Sequence, residues 1–240
     1  VWAWGVLGLA GSVLVACCAP LALHDGVVGW WYAPSWPGRA ATALIYVGMA
    51  ALAVAWVGLG RHLPGRRTLR PTAALWLVPR ARAPPLFTRD LYSYLAQGTI
   101  LHLGRNPYHV PPTVLTGLGR AHVLAAVSPF WRHTTAPYGP LFLELVSLVV
   151  GIAGSHLIAG VLLARALELV GIVLLAVFVP RLTRALGTDA SRGLWLTVAS
   201  PLTALGLVAA GHNDLLMAGL LAAGVAVALW LFLGNTRLGQ

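Results

Sequence analysis

The sequence predicts an all-α, polytopic membrane protein, a reading that rests on three observations. Of its 240 residues, 58% are hydrophobic and only 9% charged. Apolar runs near the roughly 20 residues needed to cross a bilayer recur along the chain. Nothing alternates with the two-residue period of a membrane β-barrel, so helices, which satisfy their own backbone groups in lipid, are the expected spanning elements.

The first expected span is Trp2 to Leu23. It is long and lacks a small-residue cleavage signature, which predicts a retained anchor. Its adjacent Cys17 and Cys18 read as small buried hydrophobes. A loop with Trp30, Trp31, Tyr32 and Trp36 follows, like an interfacial aromatic belt. The second span is Ala40 to Gly60. The short loop after it carries Arg61, Arg66, Arg67 and Arg70, which places it on the cytoplasmic side. The third, Pro71 to Phe87, is interrupted by Pro79, Pro84 and Pro85 and contains Arg80 and Arg82. Arginines at that depth either snorkel or face a protein interior.

Residues 89–140 form a large polar-aromatic loop, expected outside the membrane and bearing interfacial helices. Leu141 to Ile152 is apolar but short for a span. Leu157 to Val179, Leu194 to Ala210 and Leu215 to Leu233 complete the expected spans. Arg181, Arg184 and Arg192 belong inside, which makes Leu141 to about Ser155 a re-entrant or interfacial element and brings His212 to the same aqueous face as Asp90. The chain starts at Val1 without an initiator Met and reads as part of one membrane domain, 1–240, of a longer protein.

All sixteen basic residues are Arg, and the net charge is +10. This balance suits anionic lipid surfaces and positive-inside loops. The arginines are dispersed and match no recognition motif, so no nucleic-acid partner is expected.

Asp90 is the first candidate for chemistry. It stands where an apolar run ends and a helix begins, with Leu91, Tyr94, Leu95 and Gly98 on one face and Gly104 as the stop signal. A carboxylate at the membrane edge can serve as a general base; equally, it can be a helix-start charge balanced by Arg89. His212, Asn213 and Asp214 form a compact polar cluster that either orients a ligand or caps the last helix. In the large loop, Arg105-Asn106-Pro107-Tyr108 reads as a turn, and Trp131-Arg132-His133-Thr134 leads to Tyr138-Gly139-Pro140. Aromatic faces suit sugars and guanidinium forks suit phosphates, although both also anchor proteins at headgroups. Glu144 and Glu168 lie in apolar sequence and need partners, Arg165 being the default for Glu168. His102, His109, His122 and His133 match no zinc spacing, so no metal site is assigned.

The segments Pro85-Leu86-Phe87-Thr88-Arg89-Asp90-Leu91-Tyr92-Ser93-Tyr94, Gly104-Arg105-Asn106-Pro107-Tyr108, Ala136-Pro137-Tyr138-Gly139-Pro140-Leu141 and Gly211-His212-Asn213-Asp214 together resemble the actinobacterial polyprenol-phosphate-mannose-dependent alpha-1,6-mannosyltransferases. The resemblance implies a GT-C-like helical bundle in the plasma membrane with an extracytoplasmic catalytic face. It implies inverting transfer from polyprenyl phosphomannose to a mannan or lipomannan acceptor, with no cofactor beyond that donor. Asp90 matches the general base. Arg89, Tyr92, Tyr94, Arg105, Asn106, Tyr108, Arg132, Tyr138, His212, Asn213 and Asp214 become candidate donor- or substrate-binding residues. Arg80 and Arg82 depart from the apolar third span expected in the family. The competing classes are a transporter or flippase, which lacks support from visible inverted repeats, and a non-catalytic scaffold.

Overall fold

The computed structural model describes residues 1–24, 27–28 and 35–233. Trp30, Trp31 and Tyr32 of the expected aromatic belt, and the polar tail after residue 233, lie outside the described residues. The regular secondary structure of the described residues is helical apart from two-residue strands β1 (Leu23–His24) and β2 (Val27–Val28), paired antiparallel. It divides into two compact units: Val1–Leu86 with Glu168–Gln240, and Phe87–Leu167.

In the first unit, α1 (Trp2–Ala22) packs on α2 (Trp36–His62) and α3 (Arg66–Arg82). α2 starts on Ser35, whose Oγ accepts from Gly38 N, with Pro37 in the first turn. Gly11 and Gly48 let α1 and α2 approach: a Cβ on Gly11 would lie 2.5 Å from Gly48 O, and one on Gly48 2.8 Å from Gly11 O. Small residues at helix crossings are how apolar helices gain packing where lipid offers no hydrophobic drive. Gly48→Leu is therefore expected to destabilise the unit by about 1–3 kcal/mol, measured as a loss of thermal stability in detergent; an unchanged transition would refute the crossing.

Among the described residues, four helices are long and apolar enough to span a bilayer: α1, α2, α7 (Leu157–Ala185) and Asp214–Phe232 within α9 (Asp214–Leu233). Two expected spans are corrected. The third is α3, which begins at Arg66 and ends at Arg82; its 17 residues reach about 26 Å at the helical rise, with arginines at both ends. Pro84 and Pro85 then prevent continuation to Phe87. Of its two deep arginines, Arg80 is 0% exposed and donates to Trp76 O at 3.4 Å, while Arg82 is exposed.

The second correction concerns Leu194 to Ala210, which divides into α8 (Ala190–Leu196) and a π-helical segment, Thr203–Ala209. Hydroxyls take over the backbone there. Thr203 Oγ1 donates to Thr197 O at 2.7 Å, Ser200 Oγ accepts from Leu202 N at 3.2 Å, and Pro201 contributes no donor. α8 is pinned to α2 by Trp195 and Trp56, whose rings stack at 4.5 Å while each Nε1 donates to the other's carbonyl at 2.9 Å.

The arginine-rich ends of α3 and α7 lie together in this unit. Arg70 donates to Ala176 O at 3.0 Å, and the charges of Arg66, Arg70 and Arg181 all act on Arg184. The two loops expected inside thus share one end. At the other end of α3, Leu86 N donates to Ala209 O at 2.9 Å, which ties the chain to the π segment just before Gly211.

In the second unit, α4 (Asp90–His102) runs parallel to α6 (Pro140–Ala153), with α5 (Ala121–Ala126) and short turns at Pro112–Thr116 and Pro129–Trp131 between them. Gly98 permits the α4–α6 contact, because a Cβ there would lie 2.7 Å from Val146 Cγ1. α4 is the centre of this unit, not the one-faced interfacial helix expected. Leu91, Tyr94 and Leu95 pack with Val146, Val149 and Val150, while Ala96 and Ile100 pack with Leu115, Val123 and Val127. At 14 residues, about 21 Å, α6 stays short of a span.

Candidate functional site

Asp90 occupies the first residue of α4 and is half-buried. Its backbone N–H is accepted by Thr88 Oγ1 at 3.1 Å. The preceding turn is strained: Phe87 has φ +71, a left-handed conformation that a bulky side chain rarely takes. Such outliers persist where the surroundings over-determine them and gather at functional positions. No residue type in the sequence signals this bend, since glycine would have been its ordinary marker. Arg89 is the N-cap residue of α4, and both it and Tyr92 are half-buried beside Asp90.

Two aromatics considered for ligand contact, Tyr94 one turn further along α4 and Tyr138 just before α6, pack against each other. Tyr94 is 1% exposed and meets Tyr138 and Phe142 edge-to-face, at 4.9 and 5.1 Å. Tyr138 is half-buried against both. This trio sets the level at which α6 enters beside α4.

α4 ends as the sequence expects. Gly104 has φ +73, its N–H bonds Leu101 O at 2.9 Å, and Arg105 N bonds Ile100 O at 3.0 Å, the paired bonds of a Schellman end. Asn106 continues the turn, with Oδ1 accepting from Tyr108 N at 2.9 Å. The segment folds back toward α6: Tyr108 OH donates to Tyr138 O at 2.7 Å, and Ala136 N to Pro107 O at 2.9 Å. A cleft of about 360 Å³ opens between Leu101, Arg105, Asn106, Tyr108, Pro140 and Glu144. Glu144, expected in apolar surroundings, is instead exposed on this wall. Its only sequence signal was an acid one turn inside an apolar helix that starts with Pro140.

Arg132, considered for a phosphate contact, is engaged within its own loop through two of its nitrogens. Its Nε and one terminal nitrogen donate to Val127 O at 3.1 Å and Ala125 O at 3.2 Å, closing the C-terminal end of α5.

His212, Asn213 and Asp214 belong to the first unit. Gly211 has φ +75, and Gly211 N and His212 N both bond Leu207 O as the π segment closes. Asn213 stands immediately before α9, with its carbonyl accepting from Met217 N at 3.1 Å, while Asp214 is exposed in the first turn. This is the backbone geometry of a helix N-cap. Asn213→Ala should cost about 0.5–2 kcal/mol, read from thermal unfolding; a cost accompanied by normal turnover in the folded fraction assigns the residue to the cap alone.

The described residues thus form a helical membrane domain that presents a half-buried carboxylate at a strained helix start and, in the same unit, a cleft lined by Arg105, Asn106, Tyr108 and Glu144. Residues 4–237 match the family described as alpha-(1->6)-mannopyranosyltransferase, N-terminal domain, and the chain belongs to that family. It is 38% identical over 234 residues to alpha-(1->6)-mannopyranosyltransferase A of Mycobacterium tuberculosis, covering 92% of this chain and 44% of the relative. To a probable alpha-(1->6)-mannopyranosyltransferase of Mycolicibacterium smegmatis it is 43% identical over 188 residues, 76% of this chain and 33% of the relative. To alpha-(1->6)-mannopyranosyltransferase A of Corynebacterium glutamicum it is 32% identical over 198 residues, 78% of this chain and 40% of the relative. The chain thus spans less than half the length of these relatives. No solved structure matches it.

Proposed function

We propose that the protein from which this chain comes is an inverting mannosyltransferase. It moves mannose from polyprenyl phosphomannose to a hydroxyl of an alpha-1,6-linked mannan or lipomannan acceptor at the outer face of the plasma membrane. The observation that carries this reading is Asp90, half-buried at the first residue of α4, within a chain of the mannopyranosyltransferase family.

In this mechanism Asp90 accepts the proton of the attacking acceptor hydroxyl as its oxygen bonds the anomeric carbon. The bond from that carbon to the phosphate oxygen breaks, and polyprenyl phosphate leaves with the electron pair. Partial burial limits competition from water, and attachment to α4 holds the carboxylate in one place. The lipid phosphate is already an activated leaving group. The protein therefore supplies a base, positioning and a shaped sugar site.

The test uses membranes containing the full natural protein, supplied with polyprenyl phosphomannose carrying radiolabelled mannose and an alpha-1,6-mannan acceptor. Label is expected in the acceptor with alpha configuration. Label that stays on the lipid while crossing the membrane would instead establish the transporter reading.

A further inference from the structure

Asp90 does not line the cleft beside the Arg105 turn. Leu101 is its only lining residue from α4, eleven helical steps from Asp90, about 16 Å at the α-helical rise. Its opposite wall, Pro140 at the start of α6 and Glu144 one turn in, spans the levels of Tyr92 to Ala96, since Tyr94 meets Phe142 and Gly98 meets Val146. The cleft therefore starts near the level of Tyr92, two residues past Asp90, and runs away from Asp90 toward the C-terminal end of α4. A sugar whose hydroxyl reacted at Asp90 would have the next units of its chain in this direction.

The chemistry of the walls selects what the cleft holds. The side chains of Arg105 and Glu144 are both exposed, line the same space, and make no hydrogen bond or ion pair with any described residue. A carboxylate on the wall opposes a phosphate, while a guanidinium alone would welcome one; the pair together is neutral. It offers charged acceptors and forked donors, the complement of a polyol's hydroxyls. Tyr108 adds an aromatic ring that is 41% exposed and steadied by the bond from its hydroxyl to Tyr138 O. Asn106 is held in the same turn by its bond to Tyr108 N. At about 360 Å³ the space falls at the lower end of the ~300–1,000 Å³ typical of small-ligand sites.

We infer that this cleft is a secondary subsite for a neutral oligosaccharide, holding acceptor sugars beyond the one that reacts, with Arg105 and Glu144 bonding their hydroxyls and Tyr108 lying against a ring face. The acceptor assignment rests on the mannosyltransferase reading, whereas saccharide binding by the cleft does not. The consequence is chain-length selectivity, because a long acceptor fills the cleft and a short one leaves it empty.

Two measurements on the full natural protein test this. In the first, alpha-1,6-linked mannotetraose and methyl mannoside are titrated without donor, by saturation-transfer NMR. Glu144→Gln and Arg105→Lys, which keep size or charge at exposed positions, are expected to weaken tetramer binding about tenfold, the loss of one charged hydrogen bond, and to move the monosaccharide little. In the second, kcat/KM is compared for tetrameric and dimeric acceptors, and the preference for the tetramer should fall by the same factor. Unchanged tetramer binding, equal losses for both sugars, or weakened binding of polyprenyl phosphate would each overturn the subsite. Wild-type protein that binds the tetramer through these residues but transfers no mannose would refute the mannosyltransferase reading and leave the saccharide site standing.

Discussion

Replacing Asp90 with Asn is expected to lower mannosyl transfer by about 10²- to 10⁴-fold, the range for loss of a general base. The substitution keeps the size of the side chain and its hydrogen-bonding capacity, and it leaves intact the backbone bond from Asp90 N to Thr88 Oγ1 that starts α4. The loss should therefore appear in turnover, with donor affinity and thermal stability close to wild type. Asp90→Glu gives a second reading, because it restores the carboxylate but moves it by one methylene. It should recover part of the rate if basicity is what matters. A folded Asp90→Asn protein with near-normal turnover would leave the carboxylate as nothing more than a favourable charge at a helix N-terminus, a role typically worth 0.3–1 kcal/mol.

The largest stability effect is expected at Trp76. Its side chain is 1% exposed, and its ring lies so close to Gly8 that a Cβ there would overlap it. Its Nε1 donates to Gly5 O at 2.9 Å, and its own carbonyl accepts from Ser12 Oγ at 2.7 Å, so α3 is bound to α1 by packing and by polar contacts together. Trp76→Ala should cost about 3–5 kcal/mol, since helices on both sides cannot collapse into the space left. Trp76→Phe keeps much of the volume and loses the indole donor. It should cost less, with about 0.5–1.5 kcal/mol of its deficit from the lost hydrogen bond. Thermal unfolding in detergent measures both. A Trp76→Ala protein as stable as wild type would mean that α3 is held by other contacts.

Reading order from sequence succeeded where composition and local chemistry act alone. Four long apolar runs became helices of spanning length. Gly104 ended α4 as a left-handed residue, because glycine takes that conformation without a Cβ penalty. The acid at residue 90 began a helix, and Asn213 came immediately before one. Family membership was likewise legible, since motifs in fixed order survive without knowledge of the fold.

Hydropathy misled where two structures share one composition. Leu194 to Ala210 is apolar enough to read as a span, but whether its backbone continues as a helix depends on the hydroxyls of Thr203 and Ser200 reaching Thr197 O and Leu202 N in place of helical partners. Periodicity misled at α4 for a related reason. One apolar face was visible in Leu91, Tyr94 and Leu95, while the burial of Ala96 and Ile100 depends on Leu115, Val123 and Val127 arriving from the loop.

By itself, then, the sequence determined the membrane class, the ends of several helices and the identity of the acid offered as base, because each of these follows from transfer energies and local backbone preferences. Tertiary structure alone decided that Arg80 faces inward, that Arg132 closes α5 and that Tyr94 is core. It alone brought Glu144 to the same cleft as Arg105. These side chains are amphipathic or charged, and their roles depend on which partners lie within a few ångströms, a matter settled by distant segments of the chain packing together.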